Sequence, residues 1–216
     1  IGSVGKLRMT ANEIDFSRSI FDIDKLTVES PEFREIKKRG NWRRTDSVSY
    51  WKMRDMERLA DTLPMEITAG KMVLKVRSLD ISNGTLQFYN RRRRPSKPNE
   101  FDDRDIIISN LTGQIDDLNF IGDTLFANVD IKANERSGIE IKRMRTRLKV
   151  DPNLMEFDKL DLEMNNSKLT NYFAMRYSDL DAMSEFIDSV KITANLNNSV
   201  ISMEDIAFFA PALKGN

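Results

Sequence analysis

The sequence predicts a mainly β fold: an elongated antiparallel sheet of stacked hairpins with one or two short helices. Three observations predict it. From Val73 onward, short segments place apolar residues two apart, as in Leu86-Gln-Phe88, Leu125 to Ile131, Ile139-Glu-Ile141 and Leu160 to Met164. Between them stand turn formers: Asn83-Gly84, Gly122-Asp123, Ser137-Gly138, Asp151-Pro152-Asn153, Asn165-Asn166 and Asn197-Asn198. Little helical sequence remains to cover so much sheet. Side chains alternate across a strand, so each such segment has one apolar and one wet face. The sheet must fold onto itself, or something else must occupy its apolar side.

Residues 1–71 form the upstream portion. Ile14-Asp-Phe16 and Phe21-Asp-Ile23 alternate, Leu26-Thr-Val28 continues, and Pro31 opens a segment carrying Phe33 and Ile36. A polar linker from Lys37 to Asp46 leads to a helix over about 47–63. Asp46 or Ser47 serves as its N-cap, Val48, Met56, Leu59 and Leu63 form a narrow stripe, and Pro64 ends it. Residues 72–216 carry the repeating strands, with turns every 12–15 residues or so. A second helix is expected over about 179–188, capped by Ser178, with Leu180 and Met183 on one side. Between Ile141 and Met144 the apolar register jumps from odd to even. A bulge at Lys142-Arg143 would keep both halves facing inward.

Composition narrows the chemistry. The 216 residues include 34 basic and 34 acidic side chains, so no net field argues for nucleic acid. There is no histidine and no cysteine, which removes imidazole acid–base catalysis, thiol nucleophiles and the commonest zinc ligands. Absence of cysteine is compatible with an oxidising compartment. No apolar run approaches the roughly 18–20 residues of a membrane-spanning helix, and no signal peptide is present. No glycine-rich phosphate loop or nucleophile elbow occurs. The cluster Asp102-Asp103-Arg104-Asp105 lacks the alternate ligand spacing and glycine of a calcium loop. The chain is read as a non-enzyme with no metal and no cofactor. It opens on Ile1 and closes on Asn216 like a piece of something longer.

Two features remain. Arg91, Arg92, Arg93, Arg94 and Lys97 put five positive charges into eight residues. They suit contact with lipid phosphate or an acidic partner, at about 1 kcal/mol per basic residue near an anionic surface. The plainer reading is a solvated loop balanced by Glu100, Asp102, Asp103 and Asp105. The second feature is an apolar stripe. Its candidate members are Leu74, Val76, Leu79, Ile81, Leu86, Phe88, Ile106, Ile108, Leu118, Phe120, Leu125, Ala127, Val129, Ile139, Ile141, Leu148, Leu160, Leu162, Ile192 and Ala194. They line either a dry, self-filled core or a groove whose filling is foreign. The two differ in how they take a charge. An aspartate at Phe88, Phe120 or Val129 stays hydrated in an open trough and is buried at a cost in a closed core.

Several further segments stand in a fixed order. They are Leu79-Asp-Ile-Ser-Asn-Gly-Thr-Leu-Gln-Phe-Tyr89, the Pro/Lys-rich loop leading to Phe101-Asp102, and Ile108-Ser-Asn-Leu111. Further along come Phe120-Ile-Gly-Asp123, Glu135-Arg-Ser-Gly-Ile-Glu-Ile141, Asp151-Pro-Asn153 and Ile206-Ala-Phe-Phe-Ala-Pro-Ala-Leu213. Taken together they resemble the AsmA/TamB family in the form found in Bacteroidetes-type bacteria. The series covers about 72–216, with 1–71 fitting more loosely, and the four-arginine run is more basic than the usual loop there. The resemblance implies a very long protein of the Gram-negative periplasm, anchored in the inner membrane by an N-terminal helix outside this chain. Its repeated sheets would curl into an apolar half-pipe, a β-taco groove similar to that of eukaryotic bridge-like lipid transfer proteins. It implies phospholipid movement toward the outer membrane, and a BamA-type barrel as partner through parts not in this chain.

The physics of that role is simple. A phospholipid leaving a bilayer exposes roughly 15 methylenes per tail at about 0.8 kcal/mol each, so roughly 12 kcal/mol per tail, most of which an apolar trough removes. About a dozen strands ~4.8 Å apart would make a trough of roughly 55–60 Å. The alternative is a filled β-sandwich acting as a structural scaffold for outer-membrane protein translocation and assembly.

Overall fold

The computed structural model describes residues 2–37, 72–90, 96–97, 99–102, 105–178 and 190–209. Strands occupy 72% of them. In chain order these are β1 (Gly2–Ser3), β2 (Lys6–Asp15), β3 (Ile20–Glu29), β4 (Glu32–Lys37), β5 (Val73–Asn90), β6 (Asp105–Ile121) and β7 (Thr124–Glu135). They continue with β8 (Glu140–Asp151), β9 (Leu154–Glu163), β10 (Lys168–Arg176) and β11 (Lys191–Asn195), followed by helix α1 (Met203–Phe209). The helices expected over 47–63 and 179–188 lie outside the described residues. All eleven strands belong to one curled sheet that does not close. Strands from 1–71 and from 72–216 therefore share a single sheet.

From β5 to β11 the chain is an antiparallel meander in sequence order. Upstream the topology departs from the all-antiparallel expectation. β3 pairs parallel with the first half of β5 (Ile20↔Val73 to Glu29↔Ser82), and β4 pairs parallel with its second half (Glu32↔Thr85 to Lys37↔Asn90). Parallel neighbours need a crossover of a dozen residues or more. Alternation alone could not reveal that pairing. β1 and β2 pair with β4 and β3 in turn. β1/β2 and β3/β4 thus each occupy one track, and the eleven strands fill nine tracks. At ~4.8 Å per step the sheet measures about 40 Å across its strands, shorter than the sequence suggested.

Long strands are bent where single residues enter the left-handed region. Ser30, Asn83 and Asn110 take φ of 50°, 53° and 54° at matching heights on three adjacent tracks. Asn83-Gly84 is therefore not a turn, as its composition suggested. The flanks of the pair stay in register with β6 on both sides, Ile81↔Gly113 before and Leu86↔Ile108 after. Asn83 N–H donates to the Thr112 hydroxyl and its side-chain amide to the Ser30 hydroxyl, and Pro31 fills the space beside Gly84. Asparagine tolerates this conformation because its short amide bonds locally. Asp117, Lys159 and Asn171 produce further bends or bulges, at φ of 50°, 52° and 93°. The bulge expected in β8 is present: Lys142 and Arg143 together oppose Lys132, between the pairs Ile131↔Met144 and Ala133↔Ile141. Bulges bend strands and sharpen twist, and here they turn a broad ribbon into a curled one.

The turns are made by the residues that composition favours. Gly122-Asp123, Pro152-Asn153, Ser137-Gly138 and Asn165-Asn166 all reverse the chain. Asn197-Asn198 does not: the chain runs on along β10, from Tyr172↔Asn195 to Lys168↔Val200, so the pair is a bend like Asn83-Gly84. In the β2–β3 turn the Asp15 carboxylate accepts from the Ser17 hydroxyl (2.6 Å), the Arg18 guanidinium (2.6 Å) and the Arg18 N–H (2.9 Å). Those bonds hold its pKa well below the usual carboxylate range.

Candidate functional site: the apolar face of the sheet

Directly opposed residues share a face, so the pairing register tests whether the predicted stripe is one surface. One row runs Ile14, Phe21, Leu74, Phe120, Leu125, Val150, Met155, Met175 and Ile192, across every track from β2 to β11. A second runs Ala127, Leu148, Phe157, Phe173 and Ala194, with Phe157 and Phe173 in ring contact at 6.0 Å. A third runs Met9, Leu26, Leu79, Ile115, Val129 and Thr146. A fourth runs Leu7, Val28, Ile81, Gly113, Ile131, Met144, Leu162 and Leu169. Val76 faces Leu118, Leu86 faces Ile108 and Phe88 faces Ile106. Ile139, Ile141 and Leu160 follow by alternation and by the bulges at Lys142-Arg143 and Lys159. All twenty predicted stripe residues lie on this face.

Sequence reading missed part of the surface. Leu7, Met9, Ile14, Phe21, Ile23, Leu26, Val28 and Phe33 extend the face onto the upstream strands, and Ile115, Met144, Met155, Phe157, Phe173 and Met175 fill its middle. Their alternation is visible in the sequence. Asn110, Asp117, Lys159 and Asn171 shift its phase, so fixed odd or even counting loses them.

Exposure is uneven along the face. Toward the edges it is open: Ile14 is 40% exposed, Ile192 47% and Phe88 37%. In the middle it is covered, with Phe120 at 6% and Val129 at 5%. Of the three positions at which an aspartate separates an open trough from a closed core, Phe120 and Val129 have the low exposure of a core and only Phe88 is open.

The two rims differ. The rim carrying the β7–β8 and β9–β10 turns is laced by α1. The Ser202 hydroxyl accepts from Glu204 N–H (3.2 Å) as an N-cap, and the Ser167 hydroxyl accepts from Ser202 N–H (2.9 Å). Buried Asp205 accepts from Asn166 N–H (3.0 Å), Phe208 packs beside Gly138, and Phe208 C=O accepts from Phe101 N–H (3.0 Å). One short helix thereby ties three strand connections together. Its cap residues, Ser202, Glu204 and Asp205, are its sequence signal. On the same rim the Arg136 guanidinium donates to the carbonyls of Lys97 (3.1 Å), Glu100 (3.2 Å) and Asp105 (3.1 Å), drawing the β5–β6 connection in.

On the opposite rim Tyr177, 5% exposed, donates its phenol to Asp151 C=O at 3.1 Å. Burial, and then the Asp151 carboxylate, push its pKa up to about 12. The unfolded phenol ionises near 10. Its contribution is intact below about pH 10 and is lost as pH rises to about 12. Relative to Tyr177→Phe, the wild type should lose about 2–3 kcal/mol of stability across that window. At neutral pH the variant should be weaker by about 1 kcal/mol through the missing hydrogen bond. Urea unfolding at pH 9 to 12 checks both; parallel curves would contradict the assignment.

The candidate headgroup contacts Arg91, Arg92, Arg93 and Arg94 lie outside the described residues. Lys97 is exposed, and its ammonium pairs with Glu100 at 3.2 Å. The polar face carries ion pairs such as Lys25–Asp80 (2.9 Å), Arg77–Asp24 (2.7 Å) and Arg145–Asp130 (2.5 Å). A recess of about 380 Å³ there is bordered by Asp116, Asp130, Arg145, Arg147 and Lys159. Exposed pairs of this kind contribute little stability individually, and their chemistry is that of a solvated surface.

No family model, curated protein or solved structure matches this chain. Among the described residues no helix is long and apolar enough to cross a membrane. The apolar face is thus the feature from which a function must be argued.

Proposed function

We propose that this chain is a segment of an AsmA/TamB-type bridge that carries phospholipids along the apolar face of its sheet, from the inner toward the outer membrane of a Gram-negative cell. The observation that supports the reading is the row from Ile14 to Ile192. It is apolar on all nine tracks, reaches both edges and is open at each end. A sheet serving only as a core has no need to keep such a row unbroken to exposed edges. Acyl chains lying across these rows would regain much of the roughly 12 kcal/mol per tail lost on leaving a bilayer, while headgroups stay in water at the rim. In this reading the segment works in the periplasm, needs no catalytic group, and meets an outer-membrane barrel only through other parts of the protein.

A second reading has its own support. The low exposure of Phe120, Val129, Ala127 and Val76 fits a self-filled middle, as a structural scaffold for outer-membrane protein assembly would have. Native mass spectrometry of the purified chain separates the two. Copurified phospholipid, displaced by added detergent, is expected under the conduit reading. A lipid-free spectrum from protein extracted gently out of a lipid-rich envelope would favour the scaffold.

A further inference from the structure

We propose that β2 is a self-complementary edge, and that two copies of this chain join through it as an antiparallel, two-fold β2–β2 pair. Among the described residues nothing pairs with the outer edge of β2, and nine of its ten residues are exposed. An edge strand of this length offers a row of unpaired N–H and C=O groups. Its own sequence specifies the partner. Lys6 and Arg8 stand in its first half, Glu13 and Asp15 in its second. Only a strand with the same charge order reversed meets all four with opposite charge, and a second β2 is such a strand.

The register follows from the bulge. Within the β2–β3 pair, Asn12 is the extra residue between Ala11↔Ile23 and Glu13↔Asp22. Placing the two-fold axis at Thr10, with Asn12 looped out on both strands, sets Met9 against Ala11, Arg8 against Glu13, Leu7 against Ile14, and Lys6 against Asp15. Each pair then shares a face: Leu7, Met9, Ala11 and Ile14 on the apolar side, the charges on the polar side. The intramolecular partners of these charges are exposed. Lys6 and Arg8 reach Glu29 at 3.9 and 3.6 Å and Glu13 meets Arg18 in the turn, whereas Asp15 is already held by Arg18 and Ser17 at 2.6 Å, so the Arg8–Glu13 pair carries more of the new contact than Lys6–Asp15. Such pairs are weak enough to accept a further partner across the edge. The pairing would cover the exposed Leu7, Met9 and Ile14 and join two apolar faces into one. An isologous contact of this kind closes at the dimer and does not run on into fibres. The inference does not rest on the conduit reading: the joined rows run in opposite directions from the seam, so a dimer of this kind would count against a one-way path along the face.

Two experiments on the 216-residue chain test it. Sedimentation equilibrium should show a reversible dimer that weakens with added salt. Arg8→Glu and Glu13→Arg should each weaken it about tenfold, since each places like charges at two symmetry-related pairs. The double variant should restore it to within about threefold of wild type. The chain has no cysteine, so Thr10→Cys should form a disulfide dimer on mild oxidation, its Cα atoms lying about 4.5–5.5 Å apart across the axis. Lys6→Cys, opposed to Asp15, should link far more slowly. A wild type monomeric at several hundred micromolar, a double variant no tighter than the singles, or Lys6→Cys linking as fast as Thr10→Cys would each overturn the proposal.

Discussion

Gly113→Ala is expected to cost several kcal/mol and to leave little folded protein at 37 °C. Gly113 sits in the middle of β6 at φ +151°, a conformation L side chains rarely adopt. A Cβ there would lie 2.2 Å from Asp130 C=O and 2.7 Å from Ile131 Cα. Those are backbone atoms of β7, itself held by β8, so no side chain can swing aside. Overpacking against fixed backbone belongs among the mechanisms that give the largest single-residue losses. Gly122→Ala supplies the control: Gly122 also has positive φ (61°), but nothing lies within 4 Å of the added methyl. It should cost only about 1 kcal/mol, the ordinary penalty of a left-handed non-glycine residue. Equal urea midpoints for the two variants would mean that β6 and β7 do not approach as described.

The contrast shows what a sequence of this kind discloses. Alternation and turn chemistry reveal the strands, the common apolar face and the Lys142-Arg143 bulge, because each is set by neighbours a few residues apart. Asn83-Gly84 misleads. The same two residues make a hairpin or a bend according to whether the flanking strands find each other or a third strand, and β6 decides that from a distance. The parallel pairing of β3 and β4 with β5 is hidden for a related reason. Strand direction depends on the end of the sheet at which the chain re-enters at Val73, and no local pattern records it. Exposure along the face is hidden too. Phe88 and Phe120 look alike in their strands, yet one lies toward the open rim and the other beneath its neighbours.

That difference makes the pair a test of function. Phe120→Asp should unfold the chain near neutral pH under either reading. A carboxylate placed where the side chain is 6% exposed has no partner and costs several kcal/mol, out of a total of roughly 5–15. Burial raises the pKa of such a group, so the variant should recover part of its stability as pH falls toward 5 and the carboxyl takes its proton. Phe88→Asp should behave otherwise. The residue is 37% exposed and, among the described residues, its ring lies against Phe33 at 6.0 Å. Removing it should cost about 1–2 kcal/mol and leave the fold intact. A charge at this position on the apolar face obstructs an acyl chain without disturbing the sheet. If phospholipid runs along the face, Phe88→Asp should strip bound lipid from the folded protein, and a photo-crosslinker at Phe88 in the wild type should capture lipid in cells. A folded Phe88→Asp that retains wild-type lipid, with no lipid adduct at that position, would move the function from conduit to scaffold.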